Sequence, residues 1–331
     1  MINQLNVQNI KTTEHVINLE DTIYKQFINL IPRLNHKTIE FEIINSNAEF
    51  ANAIRRCITN ELELKYLTIN LSDVDTNDKY IVSDIIKQRI ESISIDQSIS
   101  INSEFKLNIE NTLISALDVD SKNIINKNKK NTNTYFNNFI NICTLNTKCY
   151  LYIEKIFIKK DIGKNNGRIS LGVVGYKTIN HDLSISTMNS IPKDFKITIE
   201  TNGNVENTHD ILKWTTDNLI KRFIRILDCI KDENNNEIYF TYEYNVYKLY
   251  ISNESHTIGK LLEKYIYELD KSINHVAMRE IQPGKREVVI DIKHIDAKKI
   301  TVMAIEAIIN DFRAFAAFFT ATRASRIRAK H

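Results

Sequence analysis

Two distant stretches of the chain carry the same sequence of apolar and polar positions. Residues 39–62 read IEFEIINSNAEFANAIRRCITNEL, and residues 247–269 read YKLYISNESHTIGKLLEKYIYEL. Each opens with a strand-like run (39–44 and 247–251), crosses a polar turn (SNAE, SNESH) and continues as an amphipathic helix. The first helix places Phe50, Ala53, Ile54, Cys57 and Ile58 on one face, and the second places Ile258, Leu261, Leu262, Tyr265 and Ile266 at the equivalent steps. Both follow the i, i+3, i+4, i+7, i+8 stripe of a helix that buries one side. Ser46 with Glu49 predicts a capping box for the first helix. A small residue, Ala51 or Gly259, opens each helix at the same step and would let another backbone approach closely. One amphipathic stripe is weakly specific. A strand, a turn, a small residue and a matching stripe in the same order say more.

The rest of the chain alternates strands and helices. FKITIE (195–200) alternates apolar and polar residues, as a half-buried strand does. A helix is expected over 208–228, with Leu212, Leu219, Phe223, Ile226 and Leu227 on its apolar face, Asn207 as N-cap and Asp210 in its first turn. KDENNNE (231–237) reads as a polar linker, and Val288, Ile290 and Ile292 alternate in a further strand. A long last helix starts near Asp296, with Ile300, Ala304, Ala307, Ile308 and Phe315 among its buried candidates. The low-complexity run 121–134, SKNIINKNKKNTNT, is expected to be a mobile loop.

At 331 residues the chain is long enough for two or three domains. Its seven glycines and three prolines argue against a Gly-rich nucleotide-binding fold and against long flexible linkers. Asn, Ile and Lys abound, which fits an AT-rich genome and weakens any reading of the Asn runs. The formal charge of +3 is nearly balanced, whereas a free-standing DNA-binding protein needs a stronger basic excess to neutralise phosphates. Charge is nonetheless concentrated at the end: after Asp311 come Arg313, Arg323, Arg326, Arg328 and Lys330 with no acidic residue. A solvated tail that complements a helix dipole and a contact with nucleic acid or an acidic partner are both open readings.

Cys57, Cys143, Cys149 and Cys229 form no C-x-x-C pair, so no zinc or other metal site is expected and free thiols in a reducing compartment are. The polar N-terminus lacks the apolar core of a signal peptide, and the apolar run 314–321 is too short to span a bilayer; a soluble intracellular protein with no membrane contact is the expectation. Walker, G-x-G-x-x-G, H-E-x-x-H and G-x-S-x-G patterns are missing, so no catalytic residue is nominated. DVDTND (73–78) and DVDSK (118–122) lack the Gly and terminal Glu of a calcium loop and read as exposed turns. His256, at the start of the second amphipathic helix, reads as a cap or packing residue.

FANAIRRCITNELE resembles the dimerisation helix of the alpha-like subunits of RNA polymerases: bacterial alpha, the archaeal D-type protein and the third-largest polypeptide of eukaryotic polymerase II. The matching positions are Ala51, Asn52, Ala53, Ile54, Arg55 and Arg56. VSDIIKQRIESISI (82–95) is similar to the next family segment, where an Arg, here Arg89, precedes a short apolar strand. ESHTIGKLLEKYI resembles the signature of the smaller partner, the archaeal L-type protein or its eleventh-type eukaryotic counterpart, through His256, Thr257, Ile258, Gly259, Leu261 and Leu262, with Lys260 in place of the usual Asn.

The order of these matches resembles a two-chain heterodimer fused in one polypeptide, as in large cytoplasmic DNA viruses. The resemblance implies an α+β fold. Two alpha-like dimerisation units, each an antiparallel sheet packed on long helices, would pair as an intramolecular pseudo-dimer, with a mainly β domain inserted in the first. The implied boundaries are an N-terminal extension (1–35), a first unit (36–65 plus 190–230), an insert (66–189), a linker (231–237) and a second unit with a basic tail (238–331). Phe50, Ala53, Ile54, Cys57, Ile58, Ile258, Leu261, Leu262, Tyr265 and Ile266 would form the interface. Arg55, Arg56 and Arg89 would dock the large subunits. The implied function is a non-catalytic assembly platform of a multisubunit DNA-directed RNA polymerase. It would need no cofactor, would bind two large and further small polymerase subunits, would meet nucleic acid only indirectly, and would work in the cytoplasm, a viral factory or a virion. The alternatives are a stand-alone nucleic-acid-binding protein acting through the basic tail, and an enzyme with an unrecognised site.

Overall fold

The computed structural model describes residues 5–16, 35–127, 140–167, 169–179, 192–201, 208–232, 235–270, 272–282 and 285–328. The chain begins β1 (Asn6–Val16), β2 (Asn35–Ile44) and α1 (Ala48–Arg56), which runs into a π turn over Cys57–Glu61. It continues through β3 (Glu63–Thr68), β4 (Val74–Thr76), α2 (Ser83–Glu91), β5 (Glu104–Glu110), β6 (Leu117–Asp120), β7 (Ile125–Asn126), β8 (Asn141–Leu145) and β9 (Tyr150–Ile162). Then come β10 (Gly172–Thr178), β11 (Phe195–Thr201) and α3 (Thr208–Lys231). The last third is β12 (Ile238–Glu243), β13 (Val246–Ser252), α4 (His256–Leu269), β14 (His275–Glu280), β15 (Glu287–Lys293) and α5 (Ala297–Arg328).

The architecture is mixed, with antiparallel sheets. One sheet has the order β1-β2-β11-β10 and another the order β12-β13-β15-β14. Strand for strand, the two orders coincide, and each unit places one helix after its second strand and a long helix after its fourth. Alternation explains the first sheet. Ile39, Phe41 and Ile43 of β2 face Ile199, Ile197 and Phe195 of β11, and all six are fully buried. Burying each such side chain contributes about 1.5–3 kcal/mol. The opposite face carries Glu40 and Lys196, paired at 2.9 Å. In the second sheet Leu249 and Ile251 lie opposite Ile290 and Val288. Val289 departs from simple alternation: it is buried on the other face, in register between Tyr250 and Arg279.

Residues 63–162 build a separate, mainly β body with its own core, in which Ile86 and Ile90 of α2 pack with Phe105, Leu107, Ile153 and Ile156. Its main sheet has the order β3-β9-β5-β7, with β4 also on β9, and β6 pairs with β8.

Several expectations need correction. Residues 6–16 are no extension, because β1 pairs along β2 and is an edge of the first sheet. The insert does not reach residue 189, because β10 pairs with β11 and belongs to that sheet too. The run 121–134 opens with ordered backbone, a helical turn over Ser121–Asn123 and strand β7; residues 128–134 lie outside the described residues. DVDTND is no free turn: β4 occupies its middle, and Asp78 is buried, accepting from the Asn146 backbone N–H at 2.9 Å and the Tyr80 N–H at 3.1 Å. DVDSK ends β6, where Asp118 accepts from the Thr144 hydroxyl at 2.7 Å. The α1 cap is Asn47, whose side chain accepts from the Phe50 N–H at 2.8 Å; the Ser46 hydroxyl finds no partner among the described residues. The proposed cap Asn207 and the side chains of Arg323, Arg326, Arg328 and Lys330 lie outside the described residues.

Candidate functional site

All ten stripe residues are buried in one core. Phe50, Ala53, Ile54, Cys57 and Ile58 of α1 and Ile258, Leu261, Leu262, Tyr265 and Ile266 of α4 lie in the same hydrophobic cluster, and α1 packs against α4. The cluster spans both four-stranded sheets, so the two units share one interior rather than owning one each.

The long helices join them crosswise. α3 and α5 pack against each other. From α5, Phe315 and Phe319 reach Phe41 of β2 at ring-centroid distances of 5.7 and 5.1 Å. Phe312 stacks on Phe50 of α1 at 4.5 Å and lies 6.5 Å from Phe223 of α3. In the other direction, α3 packs against β12 of the second sheet. Each long helix therefore packs on a strand of the other unit's sheet. Phe315 was among the expected core residues; Phe312 and Phe319 were not.

Gly259 does let α4 approach closely, but its neighbours are side chains of its own sheet, not another backbone. A Cβ there would lie 2.6 Å from Val288 Cγ1 and 2.9 Å from Met278 Cγ.

At one end of this seam lies a charged network that the apolar pattern did not predict. The π turn after α1, closed by the Leu62 N–H on the Cys57 carbonyl at 2.9 Å, turns Glu61 inward. Its carboxylate is buried and accepts from the Ser255 hydroxyl at 3.0 Å, the Thr257 hydroxyl and the Arg222 guanidinium of α3. Arg222 also binds Glu254, which sits buried in the turn before α4 and takes a further bond from Arg225 at 3.1 Å. Burial alone would raise the Glu61 carboxyl. Arg222 and the Thr257 and Ser255 hydroxyls outweigh it and hold the group below the usual carboxylate range. Burial likewise opposes charge on Arg222, and Glu254 and Glu61 overcome it, raising the guanidinium pKa further. One signal for this network was in the sequence: Glu61 stands at the next step of the apolar stripe, where a carboxylate is out of place.

The three arginines nominated for docking divide. Arg56 is turned inward, donating to the Thr257 hydroxyl at 2.8 Å and lying 4.0 Å from Glu61, so it belongs to the seam. Among the described residues Arg55 bonds only along its own helix, to Asn52 at 2.8 Å, and it is half-buried. Arg89 lies within helix α2 and reaches the Ile142 carbonyl of β8 at 3.2 Å, bracing the insert. His256 is at the first position of α4 with its side chain largely open to solvent. The N-cap position is Ser255, whose hydroxyl goes to Glu61 and makes no capping bond, and partial desolvation and the neighbouring Arg56 push the His256 imidazole pKa down.

Among the described residues no group of His, Cys, Asp or Glu gathers as a metal site would, and no described helix is long and apolar enough to cross a membrane. Cys57 is buried between α1 and α3 and its thiol is pushed well up by burial; Cys143 is raised to about 11 for the same reason. Neither is a prepared nucleophile. No known family model matches the chain, and no curated protein matches it.

Proposed function

We propose that this chain is a non-catalytic assembly platform of a multisubunit DNA-directed RNA polymerase, with two alpha-like units fused as an intramolecular pseudo-dimer. The observation that carries the reading is recurrence with exchange. The strand order of the first sheet reappears in the second, and each long helix packs on the other unit's sheet. The two segments that resemble the family's dimerisation signatures fall at equivalent places, the π-terminated helix α1 and helix α4, and touch each other. A fused pair of this kind needs no dimerisation step: the linker holds the units at an effective concentration on the order of millimolar.

On this reading the platform docks two large catalytic subunits. Arg55 is the better docking residue of the paired arginines, because Arg56 is already committed to Thr257. The test is copurification. Tagged full-length chain expressed in its natural cells should bring down two large polymerase subunits in stoichiometric amounts. Arg55→Glu should reduce their recovery without changing the chain's own melting temperature. Recovery of the chain alone, under gentle salt, would refute the proposal.

A further inference from the structure

A cleft of about 320 Å³ opens beside the buried network at the seam. Among the described residues its lining includes Lys164, Arg222, Arg225 and Arg286 against only Glu61 and Glu254, an excess of two positive charges. Arg222 and Arg225 are spoken for by the two carboxylates. Lys164 and Arg286 are not. Both are exposed, Arg286 bonds only to the neutral Asn165 amide oxygen at 2.9 Å, and neither has a carboxylate partner among the described residues.

The backbone fixes this arrangement. Gly163 passes so close to the π turn that a Cβ would lie 2.9 Å from the Thr59 carbonyl, and the Lys164 N–H bonds the Asn60 carbonyl at 2.8 Å. Lys164 is thereby pinned at the root of the insert. Arg286 stands just before β15 in the second unit, and Arg222 and Arg225 come from α3 of the first. The cleft's charge is thus assembled from three parts of the chain and exists only when both units are joined.

We propose that this cleft takes a short acidic segment of a protein partner, so that one docking contact reads both units at once. This rests on the platform reading for the identity of the partner, but not for the chemistry. The Glu61 and Glu254 carboxylates in the lining repel a compact dianion more strongly than single charges held apart. A peptide can instead place separate single charges on Lys164 and Arg286 at the rim. Guanidinium favours such a carboxylate through paired hydrogen bonds.

The experiment uses the purified full chain, a fluorescein-labelled hexaglutamate peptide followed by anisotropy, and inorganic phosphate as competitor. Saturable peptide binding that weakens with salt is expected. Lys164→Glu with Arg286→Glu should weaken it by about tenfold or more, and the milder Lys164→Gln with Arg286→Gln should weaken it less. Lys298→Glu with Lys299→Glu, exposed positions outside the cleft, should leave it within about twofold. Melting curves verify that each variant is folded. Absence of peptide binding, equal binding by the cleft variants, or saturable phosphate binding that displaces the peptide would each overturn the proposal. None of these outcomes touches copurification of large subunits, so failure here and failure of the platform reading are separable.

Discussion

Glu61 interrupts an apolar stripe with a carboxylate, and its surroundings decide the cost. Removing its guanidinium partner leaves two buried carboxylates, Glu61 and Glu254, without their main counter-charge. Arg222→Ala is therefore expected to destabilise the chain by about 3–5 kcal/mol, read from urea unfolding. Acidity should act through the same group. Its folded pKa lies below the ordinary 4.5, so its contribution is complete above that value and is lost as pH falls through the folded one. Asp311 works the opposite way. Burial raises it above its ordinary 3.8, despite the Tyr265 hydroxyl bonded to it at 2.6 Å, so its contribution is complete below 3.8 and fades as pH rises through the raised value. Unfolding measured across acid pH should show Glu61→Gln flattening the loss on acidification and Asp311→Asn flattening the loss on the way to neutrality. If both variants kept the parent's pH profile, neither group would be coupled to folding. Gly259 yields an expectation that propensity alone would get backwards. Gly→Ala inside a helix normally gains about 1 kcal/mol, but the clash with Val288 and Met278 should make Gly259→Ala lower the melting temperature, at a cost of about 1–3 kcal/mol.

Among the elements, α5 does the most to join the units, through Phe312, Phe315 and Phe319. Phe312 is fully buried against Phe50, so Phe312→Ala should cost about 3–5 kcal/mol. Phe105→Ala in the insert removes a side chain of the same size from the other core. Hydrogen exchange distinguishes the two. The Phe312 variant should lose protection in α1, α3 and α4, and the Phe105 variant in β5 and β9 alone. Loss spread equally over both bodies in either variant would contradict two separate cores. The α1 and α4 stripes were legible because helical burial repeats over neighbouring turns and needs no knowledge of the partner. The existence of α5 was legible for the same reason, but the target of its phenylalanines was not, because it lies on a strand more than two hundred residues earlier. The cap lies one residue beyond the position that the spacing predicts. Ser46 and Glu49 have the right spacing, yet the backbone places Asn47 where its side chain can reach the Phe50 N–H. The π turn had no sequence mark beyond the misplaced Glu61.

Over the whole molecule, the repeat was visible in its best-matched quarter, the strand–turn–helix echo, and hidden in the rest. β1 and β10 escape the sequence pattern, as an extension and as part of the insert, because both are edge strands. One is largely polar and the other holds two glycines, so neither shows the dense alternation of β2 and β11. Their membership of the first sheet is a matter of pairing, which no local pattern encodes. The crosswise helices make a claim about the chain as a unit: neither half can finish its interior alone, because α3 is needed by the second sheet and α5 by the first. Cutting the chain within 231–237 and producing residues 1–232 and 235–331 as separate polypeptides tests this directly. Mixed together, they should form a one-to-one complex whose melting temperature rises with protein concentration, as mass action requires, whereas that of the intact chain should not. Each alone should lack a cooperative seam: exchange protection in α1 and α4 should be absent until the other is added. Full protection of both helices in the isolated pieces would mean that each sheet closes its own core, and that the exchange of helices is an ornament of the fold rather than its cause.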